Sequence, residues 1–167
     1  MIEIRRARIT DAEAIASLSA EVHSQHAQAL PQLFKPPAPD TFPPTAVREL
    51  LDEPDRLVLV ACVDSTVVGY ASAQIQQRAE TPFRYAGAAL YLQWMGVRAT
   101  SRRQGVGRAL MDNLREDAAR RGIPAMLLDV WAFNTEALAF YKAVGFHPQR
   151  HILACELDPD SRRSNRS

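Results

Sequence analysis

The residues best placed to do chemistry lie in Arg102-Arg103-Gln104-Gly105-Val106-Gly107-Arg108, a short basic loop with two glycines ahead of an amphipathic stretch. From Val106 onward, apolar residues recur every four positions at Leu110, Leu114 and Ala118, the stripe of a helix packed on a sheet. Gly122 and Pro124 stop that helix. A helix opening on such a loop leaves its first backbone N–H groups without carbonyl partners, at the positive end of its dipole. That arrangement suits a phosphate, and Arg102, Arg103 and Arg108 add positive charge around it. It is not a nucleotide P-loop, which needs Gly-Lys-Ser/Thr where this chain has Gly107-Arg108-Ala109. Nor is it the dinucleotide fingerprint, whose third glycine falls at Leu110. An ordinary tight turn ringed by solvated arginines is the competing reading of the loop alone.

The surrounding chain decides between them. The pattern Arg102-x-x-Gly105-x-Gly107 resembles the coenzyme A pyrophosphate loop of the GNAT family of N-acetyltransferases. Ahead of it, Leu90-Tyr-Leu-Gln-Trp-Met-Gly-Val97 resembles the family's central strand. After it, Ala125–Trp131, Asn134 and Ala139-Phe-Tyr141-Lys-Ala-Val-Gly-Phe146 resemble its second conserved block. The resemblance covers residues 88 to 148 most clearly. It implies acetyl-CoA as co-substrate, held at the loop by Arg102, Arg103, Gln104, Gly105, Val106, Gly107 and Arg108. It implies that the strand before the loop bulges and splays, so that backbone groups of Met95, Gly96 and Val97 hold the pantetheine arm and polarise the thioester. Asn134 would contact the same arm, besides serving as a helix N-cap. Tyr141 would be the catalytic general acid that protonates the departing sulfur. Gly96 is the expected bulge residue, because glycine inside a strand often marks one; a small residue beside a crowded neighbour is the alternative.

Acyl transfer to an amine also needs a neutral nucleophile, and a lysine-like amine has a reference pKa of about 10.4. Relatives often carry a carboxylate on the strand before the bulge, whereas this chain has Gln93-Trp94, neither of which accepts a proton as a base. Three routes remain open: ordered water, another group such as His26 or Asp129, or an amine that arrives neutral. His26 continues the stripe of Leu18 and Val22 by one turn, and a merely satisfied or solvated histidine is the plainer reading. Asp129 lies in an apolar strand and can equally pair with an arginine or a backbone group.

Composition narrows the setting. The 167 residues are 47% apolar, enough for one well-filled core. Twenty Lys and Arg against 19 acids leave a net charge of +1, which argues against nucleic-acid or membrane partners. No apolar run reaches bilayer length, and Met-Ile-Glu-Ile-Arg-Arg does not read as a signal peptide. Cys62 and Cys155 sit among apolar neighbours and read as core thiols of a reduced, cytoplasmic protein, with no metal site.

The elements that must position this chemistry follow from periodicity and punctuation. Strands are expected over 2–8, 57–63, 67–76, 88–97, 125–131 and 151–157. Helices are expected after a capping box Thr10-Asp-Ala-Glu13, over 45–51, after the glycine loop, and over 134–144 ended by Gly145. Six prolines from Pro31 to Pro44 argue against regular structure there. This β-α-α-β-β-β-α-β-α-β order predicts an α/β fold: a six- to seven-stranded mixed sheet with helices on both faces, as the GNAT resemblance also implies. Residues 1–157 are expected to form one N-acetyltransferase domain and 158–167 a disordered polar tail. The proline-rich segment is expected to border the acceptor cleft, with Leu33, Phe34 and Phe42 as apolar contacts. The expected partner is a small-molecule amine. A protein N-terminus or lysine as acceptor, a non-catalytic acyl-CoA sensor, and a homodimer formed through the last strands stay open.

Overall fold

The computed structural model describes residues 1–155. By backbone proximity the chain falls into two compact units, Met1–Asn134 and a second beginning at Thr135. The first unit is a five-stranded sheet in the order β1-β2-β3-β4-β5 with helices on both faces. Its strands are β1 (Ile2–Arg6), β2 (Arg56–Val63), β3 (Thr66–Arg78), β4 (Gly87–Val97) and β5 (Met126–Leu128); its helices are α1 (Ala12–Ala29), α2 (Pro44–Leu51) and α3 (Val106–Arg120). The first four strands form an antiparallel meander, and β5 joins β4 in parallel after the α3 crossover. Asp64 (φ 49°) and Ser65 (φ 65°) turn β2 into β3; two left-handed residues match the twist of a tight hairpin.

Strand alternation divides the core. Val58, Val60 and Cys62 of β2 and Tyr70 of β3 join Ile15 and Leu18 of α1 and Val47 and Leu50 of α2 in one buried cluster. On the other face, α3 buries Val106, Leu110, Met111 and Leu114, all at 1% exposure or less. Gly69 on β3 sits under Val106: a Cβ there would stand 3.0 Å from Val106 Cγ1 and 3.1 Å from the Gly96 carbonyl oxygen. The missing side chain lets the start of α3 approach the sheet, and so sets the height of the glycine loop.

Several expectations are corrected. The described residues contain five strands rather than six or seven. Residues 151–155 form none, while 156–157 of the expected last strand, and the 158–167 tail, lie outside the described residues. Cys155 is exposed, not a core thiol, whereas Cys62 is buried. The strand expected over 125–131 pairs with β4 only through Met126–Leu128. Thr10 opens no helix by a capping box. A 3-10 turn, Ile9–Asp11, precedes α1, and Asp11 turns back to accept from the Arg8 amide at 2.7 Å and from Arg5 Nη1 and Nη2 at 2.7 and 2.9 Å.

The forked Arg5 guanidinium, together with the Arg8 amide, holds the Asp11 carboxyl below its ordinary value. A carboxylate whose folded-state pKa is depressed adds stability above its unfolded pKa, and that share is lost as pH falls through the folded value. Asp11→Asn is therefore expected to cost about 1–3 kcal/mol at pH 7. In urea unfolding, its deficit against wild type should shrink below a pH of about 4. A deficit independent of pH would show that the charge is not what Asp11 contributes.

Candidate active site

Three local structures build the site in the first unit, starting with a bulge in β4. Ser72 pairs with Trp94 and Ala73 with Leu92, so Gln93 is the extra residue in β4. Gly96 is not the bulge, contrary to the expectation from its type. It pairs regularly with Tyr70, and a Cβ there would meet Tyr70 Cε1 at 2.9 Å and Val22 Cγ2 at 3.1 Å. Glycine is required at 96 because α1 and the buried Tyr70 ring crowd it. Burial also pushes the Tyr70 phenol up to about 12, against the opposing effect of its bond with Ser19. Gly96→Ala is expected to destabilise the fold by about 1–3 kcal/mol through this overpacking, read as a lowered Tm. An unchanged Tm would mean that Tyr70 and α1 shift freely.

The second structure is a splay at the same place. Pairing of β4 with β5 ends at Leu92–Leu128, yet β4 runs on to Val97. The Arg98 amide donates to the Val68 carbonyl at 2.8 Å, continuing the β3 register. Alternation then turns the amides and carbonyls of Trp94 and Gly96 toward β3 and those of Met95 and Val97 toward the edge that β5 has left. Arg102 Nε reaches that edge and donates to the Val97 carbonyl at 3.1 Å. Of the three strand residues expected to contact a pantetheine arm, Met95 and Val97 present backbone to the opening, while Gly96 faces β3.

The third is the glycine loop. A 3-10 turn, Ala99–Ser101, leads into Arg103 at φ 59° and Gly105 at φ 86°, and α3 starts at Val106. No side chain caps the helix, and its first turn carries no acid. The Ala109 amide closes on the Gly105 carbonyl at 2.9 Å. The amides of Val106, Gly107 and Arg108 therefore have no acceptor within the helix and point out of its N-terminus. Gln104, exposed, donates from Nε2 to the Thr100 carbonyl at 2.9 Å and ties the loop to the turn before it. Close by in sequence, Arg98 has its Nε buried without a hydrogen-bond partner. Three outward amides and a run of arginines fit a polyanion such as a pyrophosphate.

Around the bulge stands a polar group that the sequence reading missed. The Arg56 side chain, 5% exposed, donates from Nε to Glu53 at 2.7 Å and from Nη1 to Ser72 Oγ at 3.2 Å and to Gln93 Oε1. Its guanidinium lies 5.5 Å from the Trp94 ring centroid, and Phe42 packs on the same ring at 5.6 Å. Gln93 is thus an acceptor for a cation rather than a stand-in for a catalytic carboxylate. The signal available was an arginine opening an otherwise apolar strand.

The proline-rich segment is pinned to α1, since His23 Nε2 donates to the Lys35 carbonyl at 2.8 Å. The Phe34 ring lies 5.2 Å from Trp131 and 5.4 Å from His26. Phe34 and Phe42 therefore meet aromatic partners, while Leu33 stays 57% exposed. Asp129, just past the end of β5, accepts from the Tyr91 phenol. Asn134, whose amide donates to the Trp131 carbonyl at 2.9 Å, is the last residue of this unit.

In the second unit, α4 (Thr135–Ala143) carries Tyr141. Gly145 at φ 95° ends the helix, and the Phe146 amide returns to the Tyr141 carbonyl at 2.9 Å while that of Gly145 bonds Lys142 at 3.0 Å. This Schellman ending brings the Phe146 ring to 5.8 Å from that of Tyr141, with Phe140 at 5.3 Å on another side. The phenol ring is held by two aromatic neighbours from its own segment.

With this geometry in hand, the sequence profile of the Acetyltransferase (GNAT) family matches residues 27–146. The chain belongs to that family. It is similar to the [Ribosomal protein bS18]-alanine N-acetyltransferase of Escherichia coli (strain K12), 42% identical over 45 residues, which are 27% of this chain and 30% of that protein. It is also similar to the mycothiol acetyltransferase of Jonesia denitrificans, 32% identical over 102 residues, 59% of this chain and 30% of that protein. Both matches thus span under a third of the relative's length. Among solved structures, a tetramutant of the BH1408 protein from Bacillus halodurans superimposes with a TM-score of 0.89 at 24% identity, covering 93% of this chain and 99% of that one. The fold is therefore that of the GNAT acetyltransferases.

Proposed function

We propose that this chain transfers the acetyl group of acetyl-CoA to a primary amine of a small molecule, as one N-acetyltransferase domain over residues 1–157. The observation that carries the reading is the uncapped N-terminus of α3, with three amides free of helical acceptors, next to the strand edge that β5 has left. The pyrophosphate binds those amides, with Arg102, Arg103 and Arg108 around it and Gly105 and Gly107 allowing close approach. The pantetheine arm runs along the Met95 and Val97 backbone, where an N–H polarises the thioester carbonyl as it becomes tetrahedral. Family membership supports Asn134 as a further contact to the arm and Tyr141 as the acid that protonates the thiolate.

The acceptor is an apolar or aromatic amine. Phe34 with Trp131 and Phe42 with Trp94 offer ring surfaces, and Arg56 disfavours a multiply charged cation beside the bulge. A second reading, acetylation of a protein α-amine, is favoured by the match to an enzyme named for the alanine of a ribosomal protein. Thiol release from acetyl-CoA, measured across arylalkylamines, amino acids, polyamines, aminoglycosides and alanine-leading peptides, separates the two. The highest kcat/KM on an arylalkylamine supports the proposal. Preference for spermidine removes the aromatic-acceptor argument, and preference for the peptides moves the assignment to the second reading.

A further inference from the structure

We propose that His26 is the group that takes the proton from the acceptor amine, an inference that rests on the acetyl transfer proposed above. The strand position where relatives carry a carboxylate holds Gln93, which is occupied by Arg56, and Asp129 is engaged with Tyr91. The ring of His26 has the opposite character. Its Nδ1 lies 2.9 Å from the Val22 carbonyl oxygen. A carbonyl only accepts, so in the neutral ring Nδ1 carries the hydrogen and Nε2 the lone pair. The hydrogen bond thus selects the tautomer in which the outer nitrogen is basic.

Its place on α1 carries the ring one turn past Gly96, toward the segment that follows β5. Leu18, Val22 and His26 follow one another at four-residue spacing on one face of the helix. The first two lie against Gly96 of β4: an ideal Cβ there is 3.5 Å from the Leu18 carbonyl oxygen and 3.1 Å from Val22 Cγ2. One turn on, the His26 ring lies 5.5 Å from that of Phe133, which follows β5 in the chain. The stripe therefore runs from Gly96 of β4 toward the turn after β5 that carries Phe133. Phe34 covers another side at 5.4 Å. The ring is half-buried, between aromatic walls that keep it oriented and a solvent side to which it can release a proton.

The proton balance is complete with groups already named. His26 Nε2 removes one proton from the ammonium and passes it to water. The freed lone pair forms the C–N bond at the thioester carbon. As the C–S bond breaks, the nitrogen loses a second proton and the thiolate gains one, so that amide, thiol and one released proton result.

Of the titratable groups on the elements packed here, His23 shares the Phe34 ring at 6.1 Å, but its Nε2 is committed to the Lys35 carbonyl. Tyr91 on β4 donates to Asp129, just past the end of β5. The test is the pH profile of kcat/KM for the best acceptor in wild type, His26→Asn, His26→Gln and His23→Gln. Asparagine preserves an N–H for the Val22 carbonyl while removing the base, and glutamine offers a second shape should asparagine disturb the helix. In wild type the rate should level off well below the amine's own value near 10.4. In both His26 variants it should fall about 100-fold or more at pH 7, then climb with pH toward the amine's own value near 10.4. The KM for acetyl-CoA should hold, and His23→Gln should keep the wild-type limb. Rates within threefold of wild type on the same profile overturn the inference. A lower rate on an unmoved profile also overturns it, since lost packing produces that result. Wild-type turnover in either case leaves the acetyltransferase reading standing, whereas no thiol release by wild type on any amine overturns both.

Discussion

Tyr141→Phe is expected to lower kcat for thiol release by about 100-fold or more, with the KM for acetyl-CoA little changed. A phenol of reference pKa about 10 is a weaker acid than a thiol of about 8.5, so passing its proton to a free thiolate is uphill by about 2 kcal/mol. The donor is useful only while the C–S bond is breaking and charge on sulfur is still forming, and its removal therefore falls on kcat. Phenylalanine keeps the ring between Phe140 and Phe146 and leaves the Gly145 helix ending in place. Thermal unfolding should be unchanged, which separates lost chemistry from lost structure. Full kcat in this variant would mean that the sulfur takes its proton from water, and Tyr141 would then be a packing residue of α4.

Gly105→Val is expected to raise the KM and the Kd for acetyl-CoA tenfold or more, and Gly105→Asn to raise them much less. Gly105 sits at φ 86°, where a β-branched residue is strained by about 1–3 kcal/mol, while asparagine tolerates the left-handed region better. Steric room is not at issue, because the nearest atom to a Cβ at this position is Ile2 Cδ1 at 3.9 Å. Valine relaxes by rotating the peptide planes that aim the first amides of α3, and the anion loses its cradle while the core under Val106 and Leu110 stays packed. Calorimetric titration with acetyl-CoA reads the effect directly. Equal affinity in wild type and Gly105→Val would remove the loop from the binding site.

What could be read along the chain was whatever local chemistry encodes. Helix endings at Gly122 and Gly145 and the loop before Val106 each rest on turn residues whose allowed dihedrals are local, and they stand where expected. Features set by pairing were misread. Gly96 and Gln93 both lie inside β4, and only the register against Ser72 and Ala73 determines which one is extra. The glycine cue pointed to Gly96, whose small size instead answers Tyr70 and Val22, residues far away in sequence. The capping-box pattern likewise pointed to Thr10 and Glu13, whereas the residue that turns the chain here is Asp11, whose partner Arg5 lies on the preceding strand. Phe34 against Trp131 and His26 against Phe133 depend on where α1 crosses the sheet, which no local pattern carries.

Movement of an acetyl group from acetyl-CoA to an amine on this protein has a stoichiometric signature. Purified protein, acetyl-CoA and the best acceptor amine would be incubated together, with thiol followed by colour and amide by mass spectrometry in the same tube. The account predicts one acetylated amine for each thiol released, and no thiol beyond background when the amine is left out. Thiol release without a matching amide would make the protein a thioester hydrolase, and acetyl-CoA binding with neither product would make it an acyl-CoA binder.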